Sequence, residues 1–141
     1  MEQRMTDDDL RKILTSTKSI AVVGASPNEA RASHRVTGFL VSKGFQVYAI
    51  NPGHAGKIIN GAMTYASLHD LPKPVDMIDV FRASQFVSDL ADAVLELPWK
   101  PDVFWTQLDV RDDAAAARLL SAGIKVVQNR CPAIEMPRLG L

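Results

Sequence analysis

A doubly wound, mostly parallel α/β sheet of five strands with helices on both faces is the fold class that this 141-residue sequence predicts. Two observations carry the prediction. Ser19–Val23 is a β-branched, nearly continuous apolar run, as expected of a strand covered on both faces, and 45–50, 75–81, 103–108 and 124–127 follow as further strand candidates. Between the strand candidates, apolar residues recur at helical spacing, and Gly24, Gly44 and Gly123 stand where a strand or helix has to end.

Taken in order, Thr6 followed three residues later by Asp9 has the cap-and-acid pattern of a helix start. Asp7, Asp8 and Asp9 lie where the helix dipole favours negative charge, and Leu10, Ile13 and Leu14 form one stripe. A short leading helix over about residues 6–17 follows, packed on the main body. Ser19–Val23, closed by Gly24, predicts a central strand. After a polar loop, Val36, Phe39 and Leu40 repeat at helical spacing until Gly44, and residues 45–50 supply the second strand.

Residues 51–74 break the rhythm. They are rich in Gly, Pro and Asn, with a weak helical pattern only at 67–71, and excursions of this length in compact domains are often functional. The third strand is 75–81. A helix over 84–95 presents Val87, Leu90, Ala91, Val94 and Leu95 as one stripe, 103–108 is the fourth strand, a helix over 112–122 is closed by Gly123, and 124–127 is the last strand. Cys131 before Pro132 reads as a small packed hydrophobe in a turn. No linker or repeat interrupts residues 1–141, so one domain is expected.

Composition narrows the function classes. Sixteen basic residues against sixteen acidic ones exclude a globally basic nucleic-acid binder, leaving only a local cationic patch as an option. The single cysteine, Cys131, permits no internal disulfide and favours a reducing compartment. No apolar run approaches the ~18 residues of a membrane span, and the acidic N-terminus lacks a signal-peptide core. The chain therefore reads as cytoplasmic, with no membrane partner.

In doubly wound sheets ligands sit beyond the carboxyl ends of the strands. The residues there are Gly24-Ala25-Ser26-Pro27-Asn28, Asn51-Pro52-Gly53, Phe81-Arg82, Thr106-Gln107 and Asn129-Arg130-Cys131-Pro132. Gly24 lets the backbone turn sharply, Ser26 offers a hydroxyl, and the N–H groups of the helix that follows favour an anion. A nicotinamide dinucleotide would ask for G-x-G-x-x-G here and an acid at the end of the second strand. This chain has Ser26 and Glu29 in place of the later glycines, and Asn51-Pro52 in place of the acid. No P-loop lysine follows the turn either.

Arg31, His34 and Arg35 lie around the start of the first long helix, Lys57 and Arg82 follow the second and third strands, and Arg130 follows the last. Such a gathering suits a polyphosphate ligand, with Arg31 and Arg130 read instead as plain surface charges. His34, His54, His69 and Cys131 have no metal-site spacing. Asp76 and Asp79 prefer opposite sides of their strand and read as structural rather than as a catalytic pair. Phe104 and Trp105 read as core, with Trp105 also able to border a ring-binding pocket.

Five stretches in this order resemble one family: Val22-Val23-Gly24-Ala25-Ser26, Ile50-Asn51-Pro52, Asp79-Val80-Phe81-Arg82, Trp105-Thr106-Gln107-Leu108 and Asn129-Arg130-Cys131-Pro132-Ala133-Ile134-Glu135. They are similar to the small stand-alone CoA-binding proteins, relatives of the CoA-binding N-terminal domain of the succinyl-CoA synthetase alpha subunit. The resemblance spans about residues 19–139. It implies a Rossmann-like fold with CoA across the carboxyl edge, its pyrophosphate on Gly24, Ala25 and Ser26 and its adenosine near the second and third strands, while the residue pattern itself adds Asn28 and Arg35 beside the phosphates. Asn51 and Pro52 wall the turn, Phe81 and Arg82 form the third-strand lip, and Thr106 and Gln107 meet the pantetheine arm. The family's phosphate-holding lysine after the second strand maps to His54 or Lys57, with Lys57 preferred for its permanent charge. The second domain and partner subunit that a ligase needs are absent from this sequence, so ligase activity does not carry over.

The function expected is non-catalytic binding of CoA or a short acyl-CoA, as a carrier, sensor or regulator, with the oligomeric state and any protein partner left open. An acyl-CoA-dependent transferase or hydrolase using Cys131 or His34 ranks second, because neither residue has a visible activating partner.

Overall fold

The computed structural model describes residues 5–141. Its sheet has seven strands: β1 (Ser19–Val23), β2 (Gln46–Ile50), β3 (Ile58–Ile59), β4 (Ala62–Tyr65), β5 (Met77–Val80), β6 (Val103–Thr106) and β7 (Lys125–Val127). They lie in the order β3-β4-β2-β1-β5-β6-β7, and every pairing is parallel except β3 with β4. The five expected strands are the parallel run from β2 to β7. The count of five is corrected by the excursion, which contributes two more. Asn60 and Gly61 both have positive φ, 42° and 93°, and close a two-residue hairpin that folds β3 back on β4.

Helices cover both faces. On one lie α1 (Asp7–Ser16), α2 (Ala32–Ser42) and α5 (Pro132–Arg138), packed on Ile20, Val22, Met77 and Trp105. On the other, α3 (Val87–Glu96) and α4 (Asp113–Ser121) pack on Ala21, Val23, Ile78 and Phe104. Alternate residues of one strand thus feed two separate cores, which is why the strands read as unbroken apolar runs. Thr6 caps α1 as expected: its hydroxyl accepts from Asp9 N at 3.1 Å while the Asp9 carboxylate accepts from Thr6 N at 3.0 Å.

Helix α5 replaces the turn expected at Cys131-Pro132. Proline is tolerated at the first helical position because its missing N–H would be unpaired there anyway, so Cys131 becomes the N-cap and the chain turns back along the sheet. Arg138, near the end of α5, donates to both carboxylate oxygens of Asp7 at 2.9 and 3.1 Å and to Glu135 at 3.0 Å, tying the last helix to the first. The two acids expected to be structural have different settings. Asp76, at the amino edge, accepts from the backbone of Lys18 and Ser19 at 2.8 and 3.2 Å and staples β1 to β5, whereas Asp79 lies inside β5 near the carboxyl edge.

The chain runs from β1 outward to β2 and β4, then returns to lay β5 on the other side of β1. Strand order reverses there, which opens a crevice between the turns after β1 and β5.

Candidate functional site

The turn after β1 is held from several sides. Gly24 has φ +87°, and a Cβ there would lie 2.6 Å from the carbonyl oxygen of Phe81, so the turns after β1 and β5 touch backbone to backbone. Asn51, at the end of β2, donates from Nδ2 to Ala25 O at 2.9 Å and accepts from Gly53 N at its Oδ1, also at 2.9 Å. One side chain thereby joins the turns after β1 and β2. His34 Nδ1 donates to Ser26 O at 3.1 Å, and Asn60 Nδ2 donates to His34 O at 2.9 Å, so the β3–β4 hairpin supports the same turn through α2. Gly38 makes this approach feasible, since a Cβ on it would run into the Asn60 amide. Asn51→Ala is expected to lower stability by about 1–2 kcal/mol in urea melts and to loosen the turn, because Ala25 O and Gly53 N both lose their partner.

Two cavities open at this edge. The first, about 600 Å³, is lined by Gly24, Ala25 and Ser26, by Asn51 and Pro52, and by Phe81 and Arg82. Its far wall is the stretch from Ala66 to His69, and Leu90 and Ala93 of α3 complete it. The start of α2 also faces it, through Arg31, Ala32 and Ser33. Where α1 has an oxygen cap and three acids in its first turn, α2 has neither a side-chain cap nor an acid, so no side chain of its own offsets the positive end of its dipole. The side chains lining this cavity include Arg31, Arg82 and His69 and no carboxylate. Such a chamber favours an anion.

The second cavity, about 580 Å³, adjoins the first, and Ala32, Phe81 and Arg82 line both. Its walls are mostly apolar, with Val36 and Phe39 of α2 facing Leu108, Val110 and Ile134. Gln107, Cys131 and Arg35 bring the polar atoms. The guanidinium of Arg82 stands 4.5 Å from the ring centroid of Phe86, which holds it at the junction.

Of the residues expected at the site, Gly24, Ala25, Ser26, Asn51, Pro52, Phe81 and Arg82 line the first cavity, and Arg35 and Gln107 join the last two around the second. Asn28, Lys57 and Thr106 line neither. Asn28 is engaged within its own loop, with its N–H on Ser26 Oγ at 3.1 Å and its Oδ1 accepting from Ala30 N at 3.0 Å. The fully buried Thr106 hydroxyl donates to Val110 O at 2.7 Å and accepts from Asn129 N at 3.2 Å. Lys57 precedes β3, with its backbone bonded to His54 and Thr64. His54 lines neither cavity, so the histidine that the excursion brings to the site is His69. Arg31, expected to be plain surface, faces the first cavity, whereas Arg130 is paired with Glu135 at 2.7 Å. Trp105 is wholly buried and donates from Nε1 to Arg130 O at 2.8 Å.

Sequence reading missed the 66–69 wall and the importance of Asp79. That carboxyl is fully buried, flanked in the sheet by Val22 and Trp105. Its Oδ1 accepts from Gln107 Nε2 at 2.8 Å, while its Oδ2 is sealed from solvent without a partner. Loss of hydration raises its pKa to about 7, against a smaller downward pull from the Gln107 bond. Burial likewise pushes the Cys131 thiol up, partly offset by the amides of Ala133 and Ile134, with Asp79 and Glu135 pushing it further up. Among the described residues no group of three or more His, Cys, Asp or Glu side chains is placed to hold a metal ion, and no helix is long and apolar enough to cross a membrane.

Known proteins share this sequence and this shape. A Bacillus subtilis protein, the uncharacterized YneT, is 30% identical over 129 residues, covering 92% of this chain and 93% of that one. A Thermus thermophilus protein of known structure, cell-free ID.343, is 38% identical with a TM-score of 0.88 over 96% of this chain and 99% of its own. A hypothetical protein from Pyrococcus horikoshii OT3 is 31% identical with a TM-score of 0.88 over 100% of both chains. The family model described as CoA binding domain matches residues 18–137, from the start of β1 into α5 and so across every strand of the site, and the chain belongs to that family.

Proposed function

We propose that this protein binds CoA or a short acyl-CoA along the carboxyl edge of its sheet and performs no chemistry on it. What carries the reading is the pairing of two joined cavities, one built on the phosphate turn and the start of α2 with no carboxylate in its lining, the other mostly apolar. CoA has the matching division. Its nucleotide end carries the pyrophosphate and the 3′-phosphate, and its pantetheine arm is long and weakly polar. The pyrophosphate belongs on the Gly24-Ala25-Ser26 turn and the N-terminus of α2, the adenosine between the 66–69 wall and α3, and the arm past Phe81 and Arg82 into the second cavity.

The chemistry of the two nucleophile candidates supports a binding role. Burial raises the Cys131 pKa, which leaves little thiolate at neutral pH. The imidazole of His34 is engaged on Ser26 O, so its position is that of a brace for the turn.

Isothermal titration with CoA, acetyl-CoA, NAD and ATP tests the proposal. CoA and acetyl-CoA are expected to bind at low micromolar concentration or better, NAD and ATP much more weakly. No CoA binding at high micromolar concentration would overturn it. Turnover of acetyl-CoA that vanishes in Cys131→Ser would favour a transferase or hydrolase instead. The double substitution Ser26→Ala with Arg82→Ala is expected to weaken CoA binding at least tenfold, about 1.4 kcal/mol, with an unchanged far-UV spectrum and a cooperative melt that shows the domain still folded. Unchanged affinity would show that the phosphates lie elsewhere.

A further inference from the structure

The carboxyl group of Asp79 is a feature of this edge that neither the fold nor phosphate binding explains. Its sheet neighbours Val22 and Trp105 are apolar, and an apolar residue would pack there without the penalty of a half-satisfied acid. Among the described residues its single hydrogen-bond partner is the side chain of Gln107, 2.8 Å away, which lines the second cavity. The other end of that amide, Oε1, takes no hydrogen bond from any described residue and is not among the polar atoms sealed from solvent. One end of Gln107 therefore faces a buried acid and the other is available to whatever fills the cavity.

The protonation state of the acid dictates which end is which. An ionised carboxylate only accepts, so it requires the NH2 of Gln107 and turns the amide carbonyl outward. A protonated carboxyl both donates and accepts, so either orientation of the amide satisfies it. The outward carbonyl accepts from a thiol S–H but repels the carbonyl oxygen of a thioester, whereas an outward NH2 donates to that oxygen.

We propose that Asp79 and Gln107 together read the sulfur end of the bound ligand, discriminating against a thioester in favour of the free thiol while Asp79 is ionised and losing that discrimination when it is protonated. The inference rests on the CoA reading above, which brings the pantetheine arm into the second cavity. The raised pKa of Asp79 brings the change into the neutral range. Asp79→Asn keeps every other charged or titratable group around this position, so it separates their effect from that of Asp79. The flanking strands β1 and β6 present only Val22 and Trp105 beside it. From α2 come the permanent cation Arg35 and His34, the latter held on Ser26 O, and Arg82 follows β5. From α5 come Cys131, whose thiol is shifted upward, and Glu135, which is ion-paired with Arg130 and Arg138.

The test is titration calorimetry of full-length protein with CoA and with acetyl-CoA at pH 5.5, 7 and 8. Ligand phosphates titrate near pH 6 but are common to both compounds, so they cancel in the ratio of the two dissociation constants. That ratio, acetyl-CoA over CoA, is expected to rise about three- to tenfold from pH 5.5 to 8 in the wild type. In Asp79→Asn and in Gln107→Leu it is expected to stay flat. A flat ratio in the wild type, or the same rise in Asp79→Asn, overturns the inference while leaving CoA binding intact. Failure of both ligands to bind at every pH overturns the CoA reading and this inference with it.

Discussion

Gly24→Ala is expected to melt roughly 10 °C below the wild type and to bind no CoA at concentrations that saturate the parent protein. Two penalties combine. At φ +87° any side chain strains the backbone by about 1 kcal/mol or more. The added Cβ would also sit 2.6 Å from Phe81 O, closer than such contacts allow. Phe81 is not free to retreat, because its own N–H donates to Val23 O at 2.8 Å and belongs to the pairing of the two central strands. Relief requires the ends of β1 and β5 to separate, adding about 2 kcal/mol by comparison with overpacked cores. The crevice opens at that very junction, so affinity falls with stability. Differential scanning calorimetry and CoA titration on the purified variant read both, and wild-type values for both would show that the two turns are not in contact.

Asp79→Asn is expected to do the opposite to stability, and to do it only at neutral and alkaline pH. The folded-state pKa of Asp79 stands at about 7, above its unfolded value of 3.8. The group's contribution is therefore fully favourable below pH 3.8 and is lost as pH rises through about 7, where the folded protein must ionise a carboxyl without water. The loss is on the order of 4 kcal/mol, distributed between roughly pH 4 and 7 and constant above. The amide in Asp79→Asn does not ionise, although it keeps an imperfectly paired polar group. We expect a gain of about 2 kcal/mol, or ~6 °C in Tm, at pH 8, shrinking towards zero near pH 5. Thermal melts of the two proteins across that range should converge at the acid end. Parallel curves would show that Asp79 does not titrate between them.

Which features could be read from the sequence follows from how far apart their causes lie along the chain. β1, β5 and β6 were legible because a parallel strand buried on both faces needs no partner to identify it, and Ser19–Val23 states its burial locally. β3 and β4 were not, since two and four residues at the sheet edge leave a weak pattern. A signal was nonetheless present in Asn60-Gly61, a dipeptide suited to a tight hairpin, standing between Ile58-Ile59 and Ala62-Met63. α5 was hidden by Pro132 and Pro137, which suggest a turn unless the first proline sits at the opening position of a helix.

The site divides in the same way. The Gly24-Ala25-Ser26 turn declares itself because its requirement is local, a residue with positive φ between strand and helix. The far wall at Ser67 and His69 meets that turn only through the arrangement of β4 beside β2 and β2 beside β1, which no short motif encodes. Asp79 and Gln107 are 28 residues apart, and only the pairing of β5 with β6 makes them neighbours. Thr106 shows the converse: its position after an apolar run suggested the ligand, yet its hydroxyl is occupied in holding the following loop.

The path from Asn60 through His34 to Ser26 bears on how proteins built this way can diversify. A hairpin at the sheet edge looks like a segment that insertions and deletions could reshape freely. Here its tip is a strut for the phosphate turn, so a change of length at 58–61 would alter the turn some thirty residues earlier. New ligand preferences are more accessible by exchanging side chains on the 66–69 wall, which faces the cavity, than by resizing the hairpin. For the same reason, grafting residues 24–28 alone onto another α/β scaffold would transfer the outline of the turn without the brace that holds it in shape.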